Sequence, residues 1–308
     1  ALMWEELLLA ASNRLPIVLT LVNRTLSGPI NINADHSDGM GARDCGWIQI
    51  YAENNQEAYD NFIQAYPIAE DPRVHLPIMI CQDGFITSHA VENIRLEDDE
   101  AVHAFVGEYD PEHYLLKAGE PLAVGPYSVT NYYFEARRAQ AAAMERVPEV
   151  VLEVAKRFEE TFGRSYGFFE EYRMEDADYA VVIMGSAAGT MKAYIDELRE
   201  TGEKVGLIKV RMFRPFPAKA LADALRHVKG VAIMDRADSF STVGGPLGAE
   251  VTQAMFYGKV RAEAINYIYG LGGRDLLKEH AEQVLDELKE TVAKGGHEDF
   301  VRYLGVRA

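Results

Sequence analysis

Arg24 has the residue type and the position expected of a group that binds a small acid. It ends the segment 16–24, whose apolar run predicts a strand buried on both faces. The carboxyl ends of parallel strands border the crevice where ligands bind, and a guanidinium there contacts a carboxylate through two parallel hydrogen bonds. The chemistry leaves two partners open for Arg24, which are the carboxylate of a substrate and a carboxylate of this chain.

A polar segment of more than twenty residues, 25–46, follows this strand. Loops of that length are typically functional or disordered, and the side chains of this one favour a functional loop. Asp35, His36 and Asp38 offer oxygen and nitrogen ligands, but without a second cluster they are a weak metal site. Aspartates also form turns and helix caps. The side chains that favour a functional loop are Asn31, Asn33, Asp35, His36, Asp38, Arg43 and Asp44.

Three further motifs could carry chemistry, and each has an ordinary structural explanation. Asp83, Ser88 and His89 are the residue types of a nucleophilic triad, but Ser88 is not in a G-x-S-x-G turn. Adjacent serine and histidine on one loop also rarely reach the required geometry. The glycine-rich segments 185–190 and 244–248 each precede a predicted helix, whose N-terminus could bind phosphate. Neither has a full dinucleotide or P-loop pattern, so both are predicted to be tight turns.

The elements that must position these residues alternate between helix and strand, which indicates parallel α/β sheets. The first half has predicted helices at 1–11 and 55–70 and predicted strands at 16–24, 47–51 and 76–81. The second half has predicted helices at 132–161 (interrupted or offset by Pro148), 187–200, 216–228, from 248 to about 257 and after 275, and predicted strands at 179–184, 205–211, 230–235 and 264–269.

The order of these elements predicts two domains, 1–130 and 131–308. An irregular acidic stretch, 98–127, is the predicted passage between them. The second half is predicted to be a small α/β domain complete in itself, and the first half is predicted to be part of one.

Composition argues against several classes of protein. The 308 residues, 48% hydrophobic and 26% charged, are typical of a globular chain of about two domains. A net charge of −17 argues against nucleic acid and anionic membranes as partners, and favours a solvated cytoplasmic surface. Only Cys45 and Cys81 are present, so no disulfide framework, zinc site or iron–sulfur cluster is expected from this chain alone. No apolar run reaches the roughly 18 residues of a membrane span.

Nine short motifs run through nearly the whole chain. They are NRTLSGPINI (23–32), DHSD (35–38), ARDCGW (42–47), AENNQEA (52–58), CQDGFITSH (81–89), EYR (171–173), MGSAAGT (184–190), RMFRPFP (211–217) and INYIYGLGGRD (265–275). In this order they closely resemble the alpha subunits of pyruvate:ferredoxin oxidoreductases (pyruvate synthases).

The resemblance implies a multi-subunit thiamine diphosphate enzyme of anaerobic metabolism. Such an enzyme oxidatively decarboxylates pyruvate onto coenzyme A, reversibly, and passes the electrons through iron–sulfur clusters to ferredoxin. For this chain the resemblance implies an incomplete pyrimidine-type thiamine diphosphate domain with an open sheet, followed by a transketolase C-terminal-like α/β domain. Thiamine diphosphate would be shared with the beta subunit, while Mg²⁺ and the [4Fe-4S] clusters would lie on partner subunits of beta, gamma and delta type.

The resemblance also assigns roles to residues of this sequence. The family's arginine that binds the substrate carboxylate maps onto Arg24. The segment that contains the family's cofactor-activating glutamate has no counterpart here, so no catalytic residue and no metal ligand is predicted on the chain as given. The loop expected to close the cofactor cleft against the beta subunit carries Asn31, His36, Asp38, Arg43 and Asp44.

Other functions remain open at this point. The same machinery could act on 2-oxoisovalerate, 2-oxoglutarate or oxalate. The chain could instead be a non-catalytic scaffold subunit that positions other chains. A free-standing Rossmann-type dehydrogenase is disfavoured because the dinucleotide fingerprint is missing.

Overall fold

The apolar runs of the sequence fold into two open sheets that pack against each other through a shared core. The computed structural model describes residues 2–26, 28–125 and 127–307. The first residue of the predicted helix 1–11, one residue of the motif 23–32 and the proline of the predicted passage lie outside the described residues, and these are Ala1, Ser27 and Pro126.

The helices and strands are bounded as follows. The helices are α1 (Leu2–Ser12), α2 (Ser37–Gly41), α3 (Asn55–Ala69), α4 (Asp99–Val106), α5 (Tyr133–Phe162), α6 (Ala187–Glu200), α7 (Ala218–Ala224), α8 (Pro246–Gly258) and α9 (Lys278–Lys294), with a 3-10 turn at Leu271–Gly273. The strands are β1 (Val18–Asn23), β2 (Ile48–Tyr51), β3 (Ile78–Asp83), β4 (Phe169–Tyr172), β5 (Tyr179–Met184), β6 (Val205–Val210), β7 (Met212–Arg214), β8 (Gly230–Asp235), β9 (Glu263–Ile268) and β10 (Val301–Tyr303).

Both sheets are mainly parallel, which confirms the predicted fold class. The first sheet has the order β1-β3-β2-β7, in which β7 is antiparallel to β2. The second sheet has the order β10-β9-β8-β5-β6-β4, in which β4 is antiparallel to β6. The parallel strands of each sheet therefore end at one edge, where a crevice for ligands is expected.

The two sheets share one apolar core. One face of the first sheet is covered by α3, α4 and α5. Its other face contributes Met79 and Cys81 to a core that also contains Met184 and Val210 of the second sheet and apolar residues of α1, α7 and α8. The far face of the second sheet is covered by α6 and α9. The edges of the two sheets are thereby held in a fixed relation.

β1 is an edge strand, so the prediction that it is buried on both faces is wrong. Within the described residues it pairs with β3 alone. Val22 is 40% exposed, and Ile17 before the strand is 42% exposed. The apolar content of a segment in the sequence does not show whether the strand lies in the middle of a sheet or at its edge with apolar side chains exposed.

The second half of the chain is not complete in itself, contrary to the prediction. β6 ends at Val210 in the second sheet, and β7 begins at Met212 in the first sheet. Arg211 lies between them, 2% exposed. Its guanidinium donates to the side chain of Asn61 on α3 at 2.8 Å and to the carbonyl of Gly167 at 3.1 Å. One residue therefore separates the two sheets along the chain.

Several other boundaries differ from the prediction. Pro148 lies inside α5 without interrupting it. The predicted inter-domain passage contains α4, and the long loop after β1 contains α2. The short strands β4, β7 and β10 were not predicted, because three or four residues carry too little periodicity. The division of the chain into 1–130 and 131–308 stays a prediction.

A buried ion cluster also joins the two halves. Lys209 of β6 is 4% exposed, and its ammonium contacts the carboxylates of Glu57, Glu53 (3.1 Å) and Glu170 (2.8 Å). Lys192 of α6 contacts Glu53 at 2.8 Å and Glu170 at 2.9 Å. Burial would lower the pKa of Lys209, but the surrounding carboxylates raise it above its usual range.

Replacing the buried ammonium should destabilise the protein. In Lys209→Met three carboxylates remain with one lysine, so we expect a loss of about 3 kcal/mol in unfolding free energy and a fall in melting temperature of roughly 5 °C. Thermal unfolding followed by circular dichroism measures this.

Lys229→Met is the matched control. Lys229 is paired with Asp178 at an exposed site, so its replacement should change the melting temperature by less than about 2 °C. Equal melting temperatures for the Lys209→Met protein and the unmodified protein would contradict a structural role of the cluster.

Candidate functional site

Arg24 lies directly after β1 at the carboxyl edge of the first sheet. Its side chain is exposed, and the guanidinium donates to the carbonyl of Thr25 at 2.9 Å. Its main-chain N–H donates to Asp38 at 3.0 Å. Among residues 2–26, 28–125 and 127–307, no carboxylate lies within ion-pair distance of the guanidinium. Of the two partners that the sequence leaves open, the internal carboxylate is therefore not found in the described part of the chain.

Asp38 fixes the main chain of Arg24. Its carboxylate also accepts hydrogen bonds from the Asn23 side chain at 2.8 Å and from the N–H of Gly39 at 2.6 Å. Burial raises the pKa of Asp38, and these hydrogen bonds oppose the rise. Three donors around one carboxylate hold the end of β1 against the first turn of α2.

The loop that contains Asn31 is attached to the second sheet. The Asn31 side chain donates to the carbonyl of Gly272 at 3.1 Å and accepts from the N–H of Asn33 at 2.9 Å. The N–H of Gly273 donates to the carbonyl of Ala34 at 3.1 Å. The loop after β1 therefore crosses to the turn after β9, over the carboxyl ends of both sheets.

A buried carboxylate, Asp83, lies where these two edges meet. The His36 Nε2 donates to Asp83 at 2.6 Å, and the Arg236 guanidinium donates at 2.8 Å. Ser186 donates through its N–H at 2.9 Å and through its hydroxyl at 2.5 Å. Burial would raise the pKa of Asp83, but His36 and Arg236 hold it well below its usual range. One carboxylate thus joins β3, the loop after β1 and the ends of β5 and β8.

Both glycine-rich helix starts bind a carboxylate of the chain itself, as expected of tight turns. Ser186 precedes α6 and contacts Asp83. At the start of α8, Asp235 accepts hydrogen bonds from the N–H groups of Leu247 and Gly248, both at 2.8 Å. Burial raises the pKa of Asp235 to about 6. A Cβ at Gly245 would overlap the Asp235 side chain. Carboxylates therefore occupy the positions that a phosphate would take.

Asp83, Ser88 and His89 do not form a triad. The Ser88 hydroxyl and the His89 Nδ1 lie 2.7 Å apart at an exposed position. Asp83 instead contacts His36 and Arg236, and within the described residues no carboxylate pairs with His89. The structure supports the prediction that this motif is not a nucleophilic site.

Asp35, His36 and Asp38 do not converge on one point. Asp35 accepts from the N–H and the hydroxyl of Ser37, while His36 contacts Asp83 and Asp38 caps the end of β1. This is the turn-forming behaviour of aspartate. Each of the three side chains therefore has a separate structural partner.

Arg43 and Asp44 lie in a different place from the other predicted loop residues. Arg43 donates to the Ser241 hydroxyl at 2.8 Å. Both residues line a cavity of about 330 Å³, together with Arg214 and Glu250. The structure thus brings Asn31, His36 and Asp38 to the carboxyl edges of the sheets. Arg43 and Asp44 lie instead at the cavity that Arg214 and Glu250 also line.

Sequence reasoning missed two members of the buried network. The sequence predicts Ser186 only as part of a turn and does not point to Arg236 as a site residue. The available signal is positional, since Arg236 directly follows a parallel strand, as Arg24 does, and Ser186 is the second residue after one. Such positions are worth inspection whenever their side chains are polar.

One acidic group in the described part of the chain has the spacing of a metal site. Ligand atoms of Glu53, Glu57 and Glu170 lie within 4.8 Å of one another. The ammonium groups of Lys192 and Lys209 already contact these carboxylates, so the donor set does not fit a divalent cation. The absence of a metal ligand on this chain stays a prediction.

Comparison with known sequences identifies the family. The sequence model of pyruvate flavodoxin/ferredoxin oxidoreductase, thiamine diphosphate-binding, matches residues 1–156. That of the pyruvate:ferredoxin oxidoreductase core domain II matches residues 177–281. The chain belongs to the pyruvate:ferredoxin oxidoreductase family. The resemblance seen in the nine motifs is confirmed.

Relatives in this family differ in the acid that their names specify. Pyruvate synthase subunit PorA of Thermotoga maritima is 50% identical over 309 residues, covering 100% of this chain and 77% of the relative. PorA of Methanocaldococcus jannaschii is 43% identical, covering 94% and 74%. Ketoisovalerate oxidoreductase subunit VorA of Pyrococcus horikoshii is 41% identical, covering 96% and 74%.

A solved structure supports the fold. The 2-oxoglutarate:ferredoxin oxidoreductase from Magnetococcus marinus aligns with a TM-score of 0.61 at 16% identity, over 94% of this chain and 51% of that chain. At this identity the likeness shows the arrangement of the sheets and nothing about the substrate. Within the described residues, no helix combines the length and the apolar composition needed to cross a membrane.

The charge of Asp83 should be visible in the pH dependence of stability. Because the folded-state pKa of Asp83 is lowered, its contribution is present above the unfolded pKa of about 4 and is lost as the pH falls towards the folded value. Asp83→Asn should therefore lose about 3 kcal/mol at pH 7. The difference from the unmodified protein should shrink below about pH 4.

Thermal unfolding between pH 3 and pH 7 measures this difference. Asp275→Asn, a change at an exposed aspartate after the 3-10 turn, is the control and should follow the unmodified protein at each pH. An Asp83→Asn effect that is equal at pH 3 and pH 7 would show that Asp83 is not charged in the folded state.

Proposed function

We propose that this chain is the alpha subunit of a cytoplasmic pyruvate:ferredoxin oxidoreductase and that Arg24 binds the pyruvate carboxylate. The reaction converts pyruvate and coenzyme A to acetyl-CoA and CO₂ and reduces ferredoxin, and it is reversible. The 50% identity to a pyruvate synthase subunit over the whole chain supports the reaction.

The observation that carries the site assignment is the unpaired guanidinium of Arg24. It lies at the carboxyl edge of a mainly parallel sheet, and its main chain is fixed by the half-buried Asp38. Within the described residues its only hydrogen bond goes to the neighbouring carbonyl of Thr25. A guanidinium placed there has its bidentate face free for a small carboxylate.

The surroundings of Arg24 fit a shared thiamine diphosphate site. Val22 and Leu26, on either side of Arg24 along the chain, and Ile32 in the same loop are 40%, 53% and 51% exposed. This apolar surface suits a cofactor ring that another subunit holds from the opposite side. When bound, thiamine diphosphate supplies the nucleophilic carbon and the electron sink for decarboxylation.

Each residue of this chain has a limited task in the proposal. Arg24 orients the substrate carboxylate, and Asp38 fixes the position of Arg24. Asn31 holds the loop against the turn after β9 of the second sheet, and the His36 side chain holds it against Asp83 of the first sheet. The Mg²⁺ of the diphosphate, the [4Fe-4S] clusters and the contacts with ferredoxin are assigned to partner subunits of beta, gamma and delta type. Arg43 and Asp44 are proposed as subunit-contact residues of the same loop.

Arg24→Ala should raise the KM for pyruvate about 100-fold, because two charge-assisted hydrogen bonds are lost. Arg24→Lys retains the charge without the bidentate geometry, so we expect an increase of about tenfold. Steady-state ferredoxin reduction by the assembled complex measures both values. The iron–sulfur absorbance should be unchanged, since Arg24 lies on a chain that carries no cluster in this proposal.

Arg261→Ala is the matched control. Arg261 is an exposed arginine just before β9, at the edge of the second sheet opposite to its carboxyl edge. It should leave the KM within about twofold of the unmodified value. An unchanged KM in Arg24→Ala would overturn the assignment of Arg24.

Asp38 should act on the substrate only through Arg24. Asp38→Ala frees the main chain of Arg24 and should raise the KM for pyruvate about tenfold, as expected for the loss of one charged hydrogen bond. Added to Arg24→Ala, it should cause little further increase, because both changes remove one interaction. If the increases in KM of the two single variants multiply in the double variant, Asp38 acts independently of Arg24, which would contradict the proposed role of Asp38.

A second 2-oxo acid is the main alternative. The 41% identity to a ketoisovalerate oxidoreductase subunit keeps 2-oxoisovalerate open, and the same test covers 2-oxoglutarate and oxalate. Comparing kcat/KM for the four acids decides, and a higher value for any acid other than pyruvate would replace the proposed substrate. Full activity of a complex that lacks this chain would indicate a non-catalytic scaffold.

A further inference from the structure

The connection between α4 and α5 has little contact with the rest of the protein. We use the term arm for residues 107–134, which comprise this connection and the first two residues of α5. Every described residue of the arm is exposed except Pro111 and Lys117, which are half-buried. Most connections in compact domains have about five residues, so the 26 residues between the two helices are exceptional.

The composition of the arm is that of an interface and not of a solvated linker. Flexible linkers are poor in aromatic and large apolar residues, whereas tyrosine and phenylalanine are enriched where proteins bind each other. Leu116 is 91% exposed and Tyr127 is 94% exposed. The large apolar residues of the arm are Tyr109, Tyr114, Leu115, Leu116, Leu122, Val124, Tyr127, Val129, Tyr132, Tyr133 and Phe134.

At its start the arm is joined to α4, where Glu108 lies 3.7 Å from His103, but the polar contacts of residues 109–131 are internal. Lys117 donates to the carbonyl of Glu112 at 3.2 Å and pairs with Glu120 at 2.8 Å. Among the described residues from 109 to 131, each hydrogen bond and ion pair has both partners within the arm. The described residues of this stretch therefore have no polar attachment to the body of the chain.

We propose that the arm binds a basic, apolar-lined groove on another subunit of the enzyme. This inference rests on the proposed function, in which the chain works within a complex. If each of the eleven apolar side chains buries roughly 100 Å², the arm alone buries about 1,100 Å². A standard interface buries about 800 Å² on each partner, so the arm is large enough to hold a subunit.

The acidic charge of the arm indicates that the groove on its partner is basic. It carries the acidic residues Glu108, Asp110, Glu112 and Glu120 against the single basic residue Lys117. A second copy of this chain would bring the same acidic arm and a net charge of −17, which repels association. A different polypeptide with a basic groove satisfies both the apolar and the charged side chains.

The first test compares assembly of the full-length chain with its partner subunits. In the variant Leu115→Asp/Leu116→Asp/Tyr127→Asp we expect the dissociation constant for the partner subunits to rise at least tenfold, measured by sedimentation velocity. The control is Phe256→Asp/Tyr257→Asp at the end of α8, where both side chains are about three-quarters exposed. It should assemble within twofold of the unmodified chain. Equal assembly of the arm variant and the unmodified chain would overturn the proposal.

The second test addresses the charge and the site of contact. Glu108→Lys/Asp110→Lys/Glu112→Lys should weaken assembly at least tenfold at low salt. The control Glu279→Lys/Glu282→Lys on α9, also exposed, should leave assembly unchanged. Hydrogen exchange should slow at least tenfold in residues 109–131 on assembly. Exchange that is already slow in the isolated full-length chain would show that the arm binds its own chain, and would contradict the proposal.

These experiments distinguish a failure of the arm proposal from a failure of the proposed function. Assembly and hydrogen exchange are measured without substrate, so a wild-type complex that forms through the arm but does not oxidise pyruvate contradicts the proposed reaction alone. A complex that oxidises pyruvate and forms equally well with the arm variant contradicts the role of the arm alone. The melting temperature of the arm variant should be unchanged, because the substituted side chains lie outside the core.

Discussion

The neutralisation of one buried carboxylate, Asp83, is the constraint on which the two-sheet arrangement depends. Asp83 ends a central strand of the first sheet and is 1% exposed. An isolated charge at such a place would be too costly to retain. Its hydrogen-bond donors come from the loop after β1 and from the segments that follow two strands of the second sheet, namely His36, Arg236 and Ser186. The sheets must therefore meet at their carboxyl edges for the charge to be satisfied.

A short series of contacts connects Asp83 to Arg24 and so fixes the position of the candidate substrate site. His36 is held by Asp83, and two residues later Asp38 holds the main chain of Arg24. Asn31, at the other end of the loop, is attached to the turn after β9. Each contact is local, but together they place one guanidinium relative to both sheets. A surface arginine at the end of an edge strand would otherwise be free to move.

Features of the fold and the site that depend on neighbouring residues can be predicted from the sequence, whereas contacts between residues far apart in the sequence cannot. The strands 179–184 and 230–235 were predicted with correct bounds, because a run of apolar residues between turn residues is a local pattern. The position of Arg24 at a strand end is local too. The pairing of Asp83 with Arg236 is not, since 153 residues separate them. No local periodicity in the sequence indicates the contact between Asp83 and Arg236. The strand β7 was not predicted for a different reason, which is that its three residues are too few to show a period.

The passage of the chain from β6 to β7 limits how the enzyme can move. Domains that close over a substrate rotate about a few flexible residues in a linker. Here the residue between the sheets is Arg211, whose side chain is buried and bonded to α3. Strands on both sides of it are paired within their sheets. The two halves cannot swing apart at this point, so a hinge motion of the two sheets about this crossing would first have to break the Arg211 contacts or the strand pairing.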